Sequence, residues 1–131
     1  MLTSNAEFWI TVRAATSELA GLRTHVRDRA IELGADDALV DEFLLVVSEL
    51  ATNVLMHTTS DHVEVLVDRN AESWVLEVAG ADGLDDVNPV SAPGPGQIGG
   101  RGLFIVNAVM DEVALVDGAS GRFVRCIKFV A

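Results

Sequence analysis

The chain has 131 residues, half of them apolar, with nine Lys and Arg against twenty Asp and Glu and a formal charge of −11. That length holds one sizeable core, so a single domain over 1–131 is expected and a two-domain enzyme is excluded. With Lys128 as its only lysine, the chain is a poor match for nucleic acid or an anionic membrane, because a phosphate track must be neutralised by clustered Lys and Arg.

A small polyanion held by backbone N–H groups, a metal ion and one or two arginines is compatible with this balance. Cys126 has no partner in the chain, which points to a reducing compartment and a structural thiol. The first nine residues have neither a basic nor a long apolar run, and no stretch approaches the roughly 18 apolar residues of a membrane span. A cytoplasmic protein is expected.

Phe8 to Arg13 alternates apolar and polar residues and suits a short half-buried strand. From Ser17, a plausible N-cap, Leu19, Leu22, Val26, Ala30 and Leu33 recur at helical spacing until Gly34 stops the helix. Asp36 or Asp37 caps a second helix, whose apolar face runs from Leu39 to Leu55 and which ends near His57. Alternation at Val63, Val65 and Val67 and again at Trp74, Leu76 and Val78, with Arg69–Glu72 between, predicts an antiparallel hairpin.

Residues 80–102 hold seven of the eleven glycines and all three prolines, so no regular element fits there. A structureless stretch of that length in a small domain suggests a lid or binding loop, here over 80–98. Leu103 to Met110 resumes helical spacing, and two terminal strands, Val113–Val116 and Phe123–Val130, flank an Asp-Gly turn. The order β-α-α-β-β-loop-α-β-β reads as α+β: a two-layer sandwich, its mostly antiparallel sheet covered on one face by three helices.

Glu49 and Asn53 stand one turn apart on one face of the second helix, and His57 continues the line. An amide oxygen can ligate Mg²⁺, which keeps several waters, while a carboxylate one turn away can accept a proton from a nucleophile. The plainer alternative is a helix exposing its polar face, with His57 capping carbonyls. A metal site from Glu49, His57, Asp61 and His62 lacks any repeated ligand spacing. Gly99, Gly100, Arg101, Gly102 and Leu103 lead directly into a helix, where backbone N–H groups can hold phosphate; glycine-rich entries also serve merely as turns. Asp82-Gly83 either closes a turn or offers a carboxylate to a ligand's amine.

In order along the chain, Ser48-Glu49-Leu50-Ala51-Thr52-Asn53-Val54-Leu55-Met56-His57 resembles the N-box of the histidine-kinase-like ATPase superfamily in its anti-sigma-factor serine/threonine kinase branch. Gly100-Arg101-Gly102-Leu103-Phe104-Ile105-Val106 resembles that branch's second glycine box. The resemblance implies that Glu49 is the catalytic base on a partner hydroxyl and that Asn53 ligates Mg²⁺. It further implies that ATP is contacted by Asn53, His57, Asp82, Gly83, Gly99, Gly100, Arg101, Gly102 and Leu103. The implied partners are a STAS-type anti-sigma-factor antagonist and a sigma factor, exchanged by partner switching, with a homodimer left open and neither nucleic acid nor membrane bound directly. One departure is visible: where the family's first box reads D-x-G-x-G, this chain has Gly80-Ala81-Asp82-Gly83-Leu84. A regulator of the same fold that binds proteins but has lost nucleotide is therefore the alternative.

Overall fold

The computed structural model describes residues 9–58, 60–80, 100–118 and 121–130, and only the backbone of residues 9, 57 and 100–103. Strand β1 (Trp9–Arg13) opens the chain, and a 3-10 turn (Thr16–Glu18) leads into helix α1 (Leu19–Glu32). Ser17 does not cap that helix. A capping residue needs extended backbone, and Ser17 lies inside the 3-10 turn, so the extended residue is Ala15 and no side chain caps either start. Leu22, Val26 and Ala30 form the buried stripe of α1. Gly34 ends it as expected: with φ +98° its N–H donates to the Ile31 carbonyl at 3.0 Å while Ala35 N–H donates to Ala30 at 2.9 Å.

Helix α2 (Asp37–His57) begins where Asp36 caps it, the Asp36 carboxylate accepting from the Leu39 N–H at 2.9 Å. Val40, Phe43, Leu44, Val46, Val47, Leu50, Ala51 and Val54 bury its inner face, so it forms the centre of the core. Thr58 closes it: in extended backbone, its N–H and hydroxyl both donate to the Val54 carbonyl, at 3.2 and 2.7 Å. The His57 side chain, considered for such a cap, lies outside the described residues.

Strands β2 (His62–Arg69) and β3 (Ser73–Ala79) make the expected hairpin. Its turn is held by the Asn70 side-chain oxygen, which accepts from the N–H groups of Glu72 and Ser73 at 2.8 and 2.7 Å. Helix α3 (Gly100–Val109) starts three residues before Leu103, so Gly100, Arg101 and Gly102 are helical rather than loop. Glycine costs a helix only about 1 kcal/mol per residue, which the packing of a helix anchored by Val106 overrides. Strands β4 (Glu112–Gly118) and β5 (Gly121–Phe129) pair as far as Gly118 opposite Gly121, beyond the apolar runs that signalled them, because backbone pairing continues through polar residues.

The sheet order is β1-β2-β3-β5-β4 and every neighbouring pair is antiparallel. Helix α1 packs on β1 and β2, α2 on β2 and β3, and α3 on β4, with α2 between the other two helices. Phe43 meets Trp74 edge-on at 5.4 Å across this interface, a contact whose truncation costs roughly 3–5 kcal/mol. The fold is the expected α+β sandwich. Its sheet is less one-sided than the alternation suggests. In β3, Val75 and Glu77 alternate with the helix-facing Trp74 and Leu76 yet are also buried, and so is Leu66 opposite Glu77. Glu77 is stabilised there by the Arg125 guanidinium at 2.7 Å, which in turn lies over the Phe123 ring. Among the described residues no helix is long and apolar enough to cross a membrane.

Candidate functional site

Glu49 and Asn53 lie on successive turns of α2, but the helix exposes them differently: Glu49 is half-buried, whereas Asn53 is only 5% exposed. No hydrogen bond ties the Asn53 amide to a described residue, and yet among the described residues no sealed side-chain nitrogen or oxygen lacks a partner. The amide therefore opens onto a recess rather than closing into the core. A buried amide with its lone pairs uncommitted fits a hard cation, which takes oxygen ligands. Beside it Ser48 is spent locally, its hydroxyl donating to the Leu44 carbonyl at 2.7 Å.

What lies opposite this stripe follows from Lys128. Its ammonium donates to the Val109 carbonyl, the last residue of α3, at 2.8 Å and pairs with Glu42 in the second turn of α2 at 3.2 Å. The C-terminal end of α3 is thus fastened beside Glu42. Helix α3 packs along α2, and only five residues of α2 precede Glu42, so α3 must run back toward the other end of α2. Ten residues of α3 cover about 15 Å, and the eleven-residue step from Glu42 to Asn53 covers about 16 Å. The glycine-rich start of α3 consequently falls at the level of Asn53. Helix start and amide face one region, where unsatisfied N–H groups at the start of α3 favour an anion.

A third wall is the exit of β3. Gly80 has φ +101°, and a Cβ there would come within 3.1 Å of both the His62 carbonyl oxygen and Val54 Cγ1. Its carbonyl accepts from the Ser60 hydroxyl at 3.2 Å. The backbone at this corner demands glycine, so position 80 itself offers no side chain to a ligand. Asp82, Gly83 and Gly99 lie outside the described residues, as does the remainder of the expected lid; so do the side chains of His57, Arg101 and Leu103. Among the described residues no three His, Cys, Asp or Glu gather as metal ligands; of the set Glu49, His57, Asp61 and His62, the His57 side chain lies outside the described residues.

Sequence reasoning missed Lys128, Ser60 and the constraint on Gly80. The signals were there: a single lysine in an acidic chain, and a glycine directly after an apolar strand. Cys126 behaves as expected of a structural thiol; burial, and secondarily the Glu77 charge, push its pKa up to about 12.

Residues 12–128 match the family model described as the histidine kinase-like ATPase domain. Compared with curated proteins, the chain matches none.

Proposed function

Since the chain belongs to the histidine kinase-like ATPase domain family, we propose that it binds ATP with Mg²⁺ and phosphorylates a serine or threonine of a STAS-type anti-sigma-factor antagonist, so controlling a sigma factor by partner switching in the cytoplasm. One observation carries this reading: Lys128 fastens the end of α3 beside Glu42, which by helix length sets the glycine-rich start of α3 level with the face of α2 bearing Glu49 and Asn53. Asn53 would hold Mg²⁺, which neutralises charge on the phosphates when bound. Backbone N–H groups of Gly99, Gly100, Arg101, Gly102 and Leu103 would cradle those phosphates, with His57 at the end of the α2 stripe and Asp82-Gly83 toward the base. Glu49, half-exposed at the margin of the recess, accepts the proton of the acceptor hydroxyl as its oxygen bonds to the γ-phosphorus and ADP departs. The remaining work is positioning, since phosphoryl transfer asks little covalent chemistry of the protein.

The second reading is a protein-binding regulator without nucleotide. It is favoured by Gly80, which stands where the family's first box would begin with aspartate and where a positive φ and close neighbours penalise any side chain. Calorimetry with ATP, with and without Mg²⁺, followed by phosphoryl transfer to STAS-type antagonists, separates the two. Glu49→Gln should slow transfer by about 10² to 10⁴ with ATP affinity intact. Undiminished transfer by that variant refutes the base assignment, and no heat with ATP leaves the binding-module reading.

A further inference from the structure

We propose that the outward strip of α2 formed by Leu45, Thr52 and Met56 docks the phospho-acceptor protein, through a segment whose Ser or Thr is flanked by apolar side chains and carries a basic residue toward the Asp41 end. The proposal rests on the kinase reading above and names how that site receives its protein substrate.

Around the α2 axis residues advance by about 100° and 1.5 Å, so Leu45, Thr52 and Met56 fall within about 60° of Glu49 on one side and Asn53 about 40° away on the other. Burial follows the same division. Leu45 and Met56 are 41% and 65% exposed and Thr52 is exposed, while Asn53 is buried. Glu49 marks the boundary, with the recess on the Asn53 side and open surface on the other. A hydroxyl reaching Glu49 while ATP lies on the Asn53 side must come across the strip.

The composition of the strip says what crosses it. Five large hydrophobic side chains are exposed among the described residues; two are Leu45 and Met56, and a third, Phe104, is on α3. Leu45 precedes Glu49 by about 6 Å along the axis and Met56 follows it by about 10 Å, so apolar side chains on both sides of the acceptor hydroxyl find a contact. Beyond Leu45 the strip continues to the exposed Asp41 and Asp37 at the start of α2, which repel a carboxylate and attract Lys or Arg. The same acidity selects against other occupants. A second copy would bring another −11, and an anionic bilayer would bring phosphate charge.

The test uses Leu45→Glu and Met56→Glu, both at exposed positions, with Ile31→Glu on α1 as the control, and a panel of STAS-type antagonist proteins as probes. In the presence of ATP and Mg²⁺, both strip variants should bind and phosphorylate the antagonist at least about tenfold less well, while ATP affinity and the control remain as in the wild type. Unchanged antagonist binding by the strip variants overturns the proposal. So does a wild type that binds no member of the panel, or a homodimer in sedimentation that Leu45→Glu dissociates. Binding that the strip variants weaken, without transfer even by the wild type, supports the docking surface and refutes the kinase reading instead.

Discussion

Asn53→Ala separates a ligand-holding amide from a structural one. Because the amide makes no hydrogen bond to a described residue, truncation removes little folding energy, about 1 kcal/mol or less. For 131 residues, unfolding entropy near 2.1 cal/mol/K per residue converts this to a fall in Tm of at most about 4 °C. The effect on ligand binding is larger. ATP and Mg²⁺ at a hundred times their dissociation constant stabilise the wild type by about 2.7 kcal/mol, raising Tm by about 10 °C. If the variant binds a hundredfold more weakly, the same ligand concentration contributes only about 0.4 kcal/mol, or about 1–2 °C. Thermal-shift measurements on both proteins, with ATP and Mg²⁺ and with ATP and EDTA, read this directly. The wild type in EDTA should resemble the variant in Mg²⁺. An equal ATP·Mg²⁺ shift in both proteins, or a ligand-free variant that melts much more than about 5 °C lower, would refute the reasoning.

Three further outcomes follow from local geometry. Gly80→Ala should destabilise the fold by about 1–3 kcal/mol in urea titration, from its positive φ and the 3.1 Å approaches to His62 and Val54; a neutral effect would show that this corner relaxes. Lys128→Met should cost about 1 kcal/mol, discounted because Glu42 is 40% exposed, and should speed hydrogen exchange at the end of α3 before that of α1; uniform exchange would argue against a local strut. Folding raises the Cys126 pKa to about 12, so the unfolded thiol ionises first. The stability it contributes is complete below its ordinary value near 9 and declines as pH rises from there toward 12. Urea midpoints between pH 8 and 11 should show this decline in the wild type and lose that component in Cys126→Ala.

The two hairpins, the sandwich and the long helix were legible because each rests on a local pattern: Asp36 before an apolar run, Gly34 after one, alternation at Val63 to Val67 and Trp74 to Val78. Features decided by packing were not. Gly100 to Gly102 read as loop because propensity is local, whereas their helix is held by its burial and by the fastening of its far end. Ser17 had the chemistry of a cap but not its backbone, and the burial of Glu77 depends on Arg125, set opposite it by the β3–β5 register. Glu49 and Asn53 could be chosen from spacing, but the difference that matters, a half-open carboxylate beside an enclosed amide, belongs to the neighbours of α2. The relation between α2 and α3 could not be read locally at all, since it depends on a lysine from the last strand.

The strand order has a kinetic meaning. The β2–β3 and β4–β5 hairpins join neighbours in sequence and can form early, whereas β1–β2 and β3–β5 close long stretches of chain and must repay their loop entropy first. Helices α1 and α2 lie inside the first long closure and α3 inside the second. The face of α2 therefore meets the start of α3 only after both closures are complete. This recess is among the last features to be assembled, and an opening of either closure dismantles it while the local hairpins persist. A ligand spanning the two helices would hold both closures at once, so its signature should be slower unfolding rather than faster folding.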